Sequence, residues 1–107
     1  MKSNLEIKKE AEAVLKLEAQ AILNLANQLD DDFAKIVKLI INLEGRVVVT
    51  GIGKSAIIAQ KIVATLNSTG TPSIFMHAAD AIHGDLGIIQ REDLVIALSK
   101  SGTTPEI

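Results

Sequence analysis

Apolar residues recur at helical spacing through the front of the chain and then change period. Ala11, Leu15, Ile22, Leu25, Ala26 and Leu29 share one helical side, with Glu12, Lys16 and Gln20 on the other. Ser3 and Glu6 form a capping box that starts this long first helix. Its apolar side is broad enough for a core or for packing against another subunit, with core the commoner use. Asp30, Asp31 and Asp32 supply a cap and an acidic first turn for a second helix, whose stripe is Phe33, Ile36, Val37 and Ile40. Gly45 is the expected stop, so residues 3–44 are read as helices.

From Arg46 the pattern becomes that of strands. Val47, Val48, Val49 and Thr50 are a β-branched run, apolar on both faces, which predicts a buried parallel strand. Helical spacing returns with Ile57, Ile58, Ile62, Val63 and Leu66 and lasts to Gly70. Thr71 and Pro72 then turn the chain into a second strand, Ser73 to Met76. A short helical piece from Ala78 to His83 and a turn at Gly84 to Gly87 lead to a third strand, Leu94 to Leu98, also read as buried. Strands joined by helical crossovers imply an α/β fold with a doubly wound parallel sheet over residues 45–107, preceded by the two helices. Pro105 suits the first turn of another helix. With few strands and no body for that helix, the sheet reads as incomplete at the C-terminus, or as completed by a partner chain.

Composition narrows the use of such a fold. With 48% hydrophobic residues in 107 positions, the chain has material for a core. Phe33 and Phe75 are its only aromatics, too few for a base-stacking surface, and a net charge of -2 offers no field for a polyanion, so no nucleic acid is expected as partner. The absence of cysteine rules out disulfides and thiolate chemistry and fits a cytoplasmic location. Neither a signal peptide nor a stretch of about 18 apolar residues is present, so no membrane partner is expected.

Candidate chemistry lies where strands end. In a doubly wound sheet, ligands sit beyond the carboxyl ends of the strands, where helix N-termini offer backbone N–H groups to anions. Gly51, Ile52, Gly53, Lys54 and Ser55 follow the first strand and combine a permissive backbone with a cation and a hydroxyl. Ser99, Lys100, Ser101, Gly102, Thr103 and Thr104 follow the third and place four hydroxyls around one glycine. A nucleoside-triphosphate P-loop is disfavoured, because Val48 stands where its first glycine belongs. A dinucleotide fingerprint matches Gly51, Gly53 and Ala56, yet Phe75, Met76 and His77 bring no acidic residue to the end of the second strand. A small phosphosugar explains both loops. His77 and His83 are six positions apart and have no third ligand nearby, so neither a metal nor a cofactor is expected. His83 is open to two readings, a histidine bonded to Asp85 or a catalytic group, and Glu106 to two others, a complement to a helix dipole or a site carboxylate.

At these motifs the chain resembles the sugar isomerase (SIS) domain family, and within it the arabinose 5-phosphate isomerases. The pieces that carry the resemblance are residues 50–55, 68–73, 81–87 and 99–107. It implies a flavodoxin-like sheet, with residues 1–107 as the N-terminal part of one such domain. It also implies homo-oligomers, dimers or tetramers, whose sites are shared between subunits, and interconversion of ribulose 5-phosphate and arabinose 5-phosphate, a precursor of the acidic sugar Kdo. Phosphate would lie on Gly53, Ser55, Ser99, Ser101, Gly102, Thr103 and Thr104, Lys54 would stabilise negative charge, and His83 and Glu106 would share proton transfer and sugar orientation. Family members continue with further strands and further catalytic residues, so this length alone is expected to be inactive. Lys100 departs from the small polar residue expected between the serines. The alternative is a non-catalytic phosphosugar-sensing module, which would carry a DNA-binding helix-turn-helix that the first helices do not resemble.

Overall fold

Val47, Val48 and Val49 are each at 0% exposure, and everything that positions the candidate loops is built around them. The computed structural model describes residues 1–82 and 85–102. Its elements run α1 (Asn4–Ala26), α2 (Asp31–Ile41), β1 (Val47–Gly51), α3 (Lys54–Ser68), β2 (Ser73–His77), α4 (Ala78–Ile82), a 3-10 turn (Asp85–Ile88) and β3 (Leu94–Ala97). The chain divides into two compact units, Met1–Val37 and Lys38–Ile107, and the division falls within α2.

In the first unit, Ser3 caps α1 as expected: its hydroxyl accepts from the Glu6 N–H at 3.2 Å. Asp30 does the same for α2, its carboxylate accepting from the Phe33 N–H at 3.1 Å. No residue of α1 is buried. Its apolar stripe, Leu15, Ile22 and Leu25 included, is therefore surface in this chain and not the core that such stripes usually form. Among the described residues no helix is long and apolar enough to cross a membrane.

The second unit opens with a difference. The second helix closes at Ile41, where the Asn42 side chain donates back to the Lys38 carbonyl at 2.9 Å, so Gly45 is not its stop. Gly45 serves a backbone crossing instead: a Cβ there would fall 2.3 Å from the Glu92 carbonyl oxygen. The sheet is parallel in the order β2-β1-β3, with Val47 opposite Ser73 and Leu94. Alternating side chains give β1 two covered faces. Val47 and Val49 pack with Ala59 of α3, and Ile62, Val63 and Leu66 close that face. Val48 packs the other way, against Met76 and Ala81. Asn67, near the end of α3, clips the start of β2, donating to the Ser73 carbonyl at 3.0 Å and accepting from its N–H at 2.7 Å.

β3 departs from the buried strand expected of an apolar run. Its residues alternate between half-buried and exposed, and Val95 is 43% exposed. The cause is its place in the order: only β1 lies beside it among the described residues, so one face and one edge stay open.

Candidate functional site

All three strands run the same way, so the segments that follow them leave from one edge of the sheet. The first loop begins at Gly51, where an added Cβ would lie 3.0 Å from the backbone of Ser55; hydrogen there lets α3 start tightly over the end of β1. Gly53, at φ 60° and ψ -131°, takes a conformation that side-chain-bearing residues rarely adopt. It is also the N-cap of α3, and having no side chain it gives the helix no side-chain cap; no acidic residue occupies the first turn. In that turn the Ala56 N–H donates to the Gly53 carbonyl at 3.1 Å, and the N–H groups of Lys54 and Ser55 stand at the start of a 15-residue helix with the positive end of its dipole behind them, an arrangement that favours an anion. Lys54 at this point is exposed, and Ser55 is half-buried.

The second loop is tied to the first through the backbone. The Leu98 N–H donates to the Thr50 carbonyl at 2.9 Å, which carries the β1–β3 pairing one residue past the strand and fixes where Ser99 begins. Ser99 then shapes the loop itself: its hydroxyl accepts from the Gly102 N–H at 2.9 Å, and Gly102 has φ 75°. This is the local side-chain turn that serine favours. Ser101 and Gly102 are exposed, and Ser99 is half-buried. Thus Gly53, Lys54, Ser55, Ser99, Ser101 and Gly102 gather at one sheet edge, on loops from two neighbouring strands. His83, Thr103, Thr104 and Glu106, together with the helix start at Pro105, lie outside the described residues.

One residue of this edge, His77, appears in the sequence as a non-acidic end to the second strand and as a disfavoured metal ligand, with no structural role assigned. It ends β2 directly opposite Gly51. Its Nδ1 accepts from the Ala79 N–H at 3.1 Å, so the imidazole caps α4. Phe75 meets the ring edge-on, with centroids 6.3 Å apart. A histidine just before a short helical stretch is the available signal, but it resembles any polar residue at a strand end.

The opposite edge of the sheet is closed by an ion pair. Arg46, just before β1, donates from a terminal guanidinium nitrogen to Asp93 at 2.8 Å and to the Ile88 carbonyl at 2.8 Å. The hydrogen bond from Arg46, joined by backbone N–H groups of Gln90 and Arg46, holds the Asp93 carboxyl well below the usual carboxylate range. Asp93 in turn raises the Arg46 guanidinium. This pair anchors the segment between the 3-10 turn and β3 at the end away from the loops. Among the described residues, no group of three His, Cys, Asp or Glu side chains is placed to hold a metal ion.

Residues 40–107, more than half of the chain, match the family model described as SIS domain. The chain is 49% identical over 107 residues to the arabinose 5-phosphate isomerase KdsD of Pseudomonas aeruginosa, covering 100% of this chain and 33% of that protein. It is 50% identical over 93 residues to the arabinose 5-phosphate isomerase GutQ of Escherichia coli O6:H1, covering 87% of this chain and 29% of that one. The chain thus spans about a third of the length of the curated relatives it matches. A solved structure of an Escherichia coli CFT073 protein in complex with arabinose 5-phosphate superimposes with a TM-score of 0.92 at 39% identity, over 98% of this chain and 56% of that one.

Proposed function

Because the chain belongs to the SIS-domain family, we propose that its two loops form the phosphate half of a sugar-phosphate site in an arabinose 5-phosphate isomerase. The observation that carries this is the Thr50–Leu98 backbone bond, which sets an uncapped helix start and a serine-built loop side by side at one sheet edge. Two relatives named as arabinose 5-phosphate isomerases and a fold neighbour holding arabinose 5-phosphate support the choice of ligand. In this reading residues 1–107 are the front part of one such domain. Its helices (3–44) and α/β part (45–107) act within a longer cytoplasmic, oligomeric enzyme that supplies the Kdo pathway.

The phosphate sits against the Lys54 and Ser55 N–H groups at the start of α3 and the hydroxyls of Ser55, Ser99, Ser101 and Thr104, with the backbone of Gly53, Gly102 and Thr103. Fixing this end positions the reacting carbons without contributing charge to them. Interconversion of a ketose and an aldose removes a proton from the carbon beside the carbonyl. It passes through an enediolate and returns a proton to the neighbouring carbon, so no atom is gained or lost. Glu106 and His83 share the proton transfers and the orientation of the sugar hydroxyls, with roles open to exchange. Lys54, a cation at the positive end of α3, stabilises the oxyanion.

The test is turnover of ribulose 5-phosphate by the intact natural protein, beside its Glu106→Gln variant. Turnover that the substitution abolishes supports the isomerase. Tight binding of arabinose 5-phosphate without turnover moves the protein to phosphosugar sensing, and no binding sinks both readings.

A further inference from the structure

Thr50 closes a run of three fully buried valines, and a fourth valine would fit a central strand equally well. Its hydroxyl is what sets it apart, and that hydroxyl is an anomaly. The residue is 6% exposed, and Oγ1 is buried without a hydrogen-bond partner among the described residues. Buried polar side chains in native proteins nearly always have a partner, because an unmade bond is costly. Along β1 the side chain alternates with Val49, so it faces the side of Val48, Met76 and Ala81 and not the side packed by α3.

Its place in the backbone is equally specific. Thr50 directly precedes the Gly51 loop, and its carbonyl holds the Leu98 N–H at the root of the Ser99 loop. We propose that Thr50 is a positioning residue for the ligand site. Its hydroxyl gains a hydrogen bond from a main-chain group of these loops when they settle on a phosphosugar, so the bound arrangement is favoured by a bond that the ligand-free one lacks. The hydroxyl acts through the loops and not on the sugar, since it is sealed from the surface. This inference rests on the phosphosugar reading of the site.

The experiment compares the intact natural protein with its Thr50→Val and Thr50→Ser variants, by calorimetric titration of arabinose 5-phosphate and by thermal unfolding without ligand. Thr50→Val keeps the shape and removes the hydroxyl; it is expected to unfold at the same or a higher temperature. It is also expected to bind arabinose 5-phosphate about tenfold more weakly, the effect of roughly one hydrogen bond. Thr50→Ser is expected to restore most of the affinity. Unchanged affinity in Thr50→Val, or a clear drop in its ligand-free unfolding temperature, overturns the inference while the wild type's binding keeps the site reading intact. A wild type that binds no phosphosugar overturns both.

Discussion

Arg46 donates to Asp93 three times, from its backbone N–H at 2.9 Å, from Nε at 3.3 Å and from a terminal guanidinium nitrogen at 2.8 Å. The Asp93 side chain has 0% exposure. A carboxyl held well below its usual range when folded binds protons more readily once unfolded. Its contribution is therefore complete above the ordinary carboxylate value of about 4 and is lost progressively as pH falls below it.

Urea unfolding should thus show a midpoint that falls as the solution is acidified below about pH 4. Asp93→Asn should be less stable near neutrality and flatter in that acid range. A variant profile running parallel to that of the wild type would assign the acid loss to other carboxylates.

Gly53 and Gly45 separate function from stability. Gly53→Ala places a Cβ in open space but at φ 60°, a strain of about 1–3 kcal/mol at the helix start proposed to meet the ligand. Weaker phosphosugar binding with a modest loss of stability is the expected result. Gly45→Ala forces a methyl against the Glu92 carbonyl, at the edge away from the loops. It should lower the unfolding temperature strongly, and any folded fraction should bind ligand normally, which titration against active-protein concentration would reveal.

His77→Ala removes the acceptor that caps α4. A loss of about 0.5–2 kcal/mol is expected from caps of this kind. Because α4 is only five residues long, amide exchange should quicken locally at Ala78–Ile82 while β1 amides keep their protection. Uniform exchange across the sheet would mean that the cap is global in its effect.

Lys54 is exposed, so replacing it tests charge without disturbing the core. Lys54→Met should leave the unfolding midpoint within about 0.5 kcal/mol of wild type. Turnover by the intact protein should fall by about a hundredfold or more, the scale of losing one stabiliser of an oxyanion. Unchanged turnover would remove Lys54 from the reaction.

β1 and the two caps were legible in the sequence because each is a local matter. Three β-branched valines in a short run favour a strand buried on both faces, and Ser3 and Asp30 cap helices within three residues of themselves. β3 carries the same apolar chemistry as β1, yet its exposure follows from sheet order, which no local pattern encodes. In sequence Gly45 looks like a stop because glycines often end helices; its partner, Glu92, is far along the chain. The positions of Gly53, Lys54, Ser55, Ser99, Ser101 and Gly102 followed from the alternation of strand, loop and helix. The capping role of His77 and the bare hydroxyl of Thr50 did not, since both are defined by what surrounds them in space.

The order β2-β1-β3 also governs how the protein must be born. β1 leaves the ribosome before either of the strands that flank it, β2 next and β3 after that. Until then a β-branched, uncharged segment has no permanent partner, the condition under which nascent chains associate wrongly. Slow synthesis across the stretch between β1 and β3 would lengthen that interval, and a chaperone that shelters extended apolar segments would shorten its consequences.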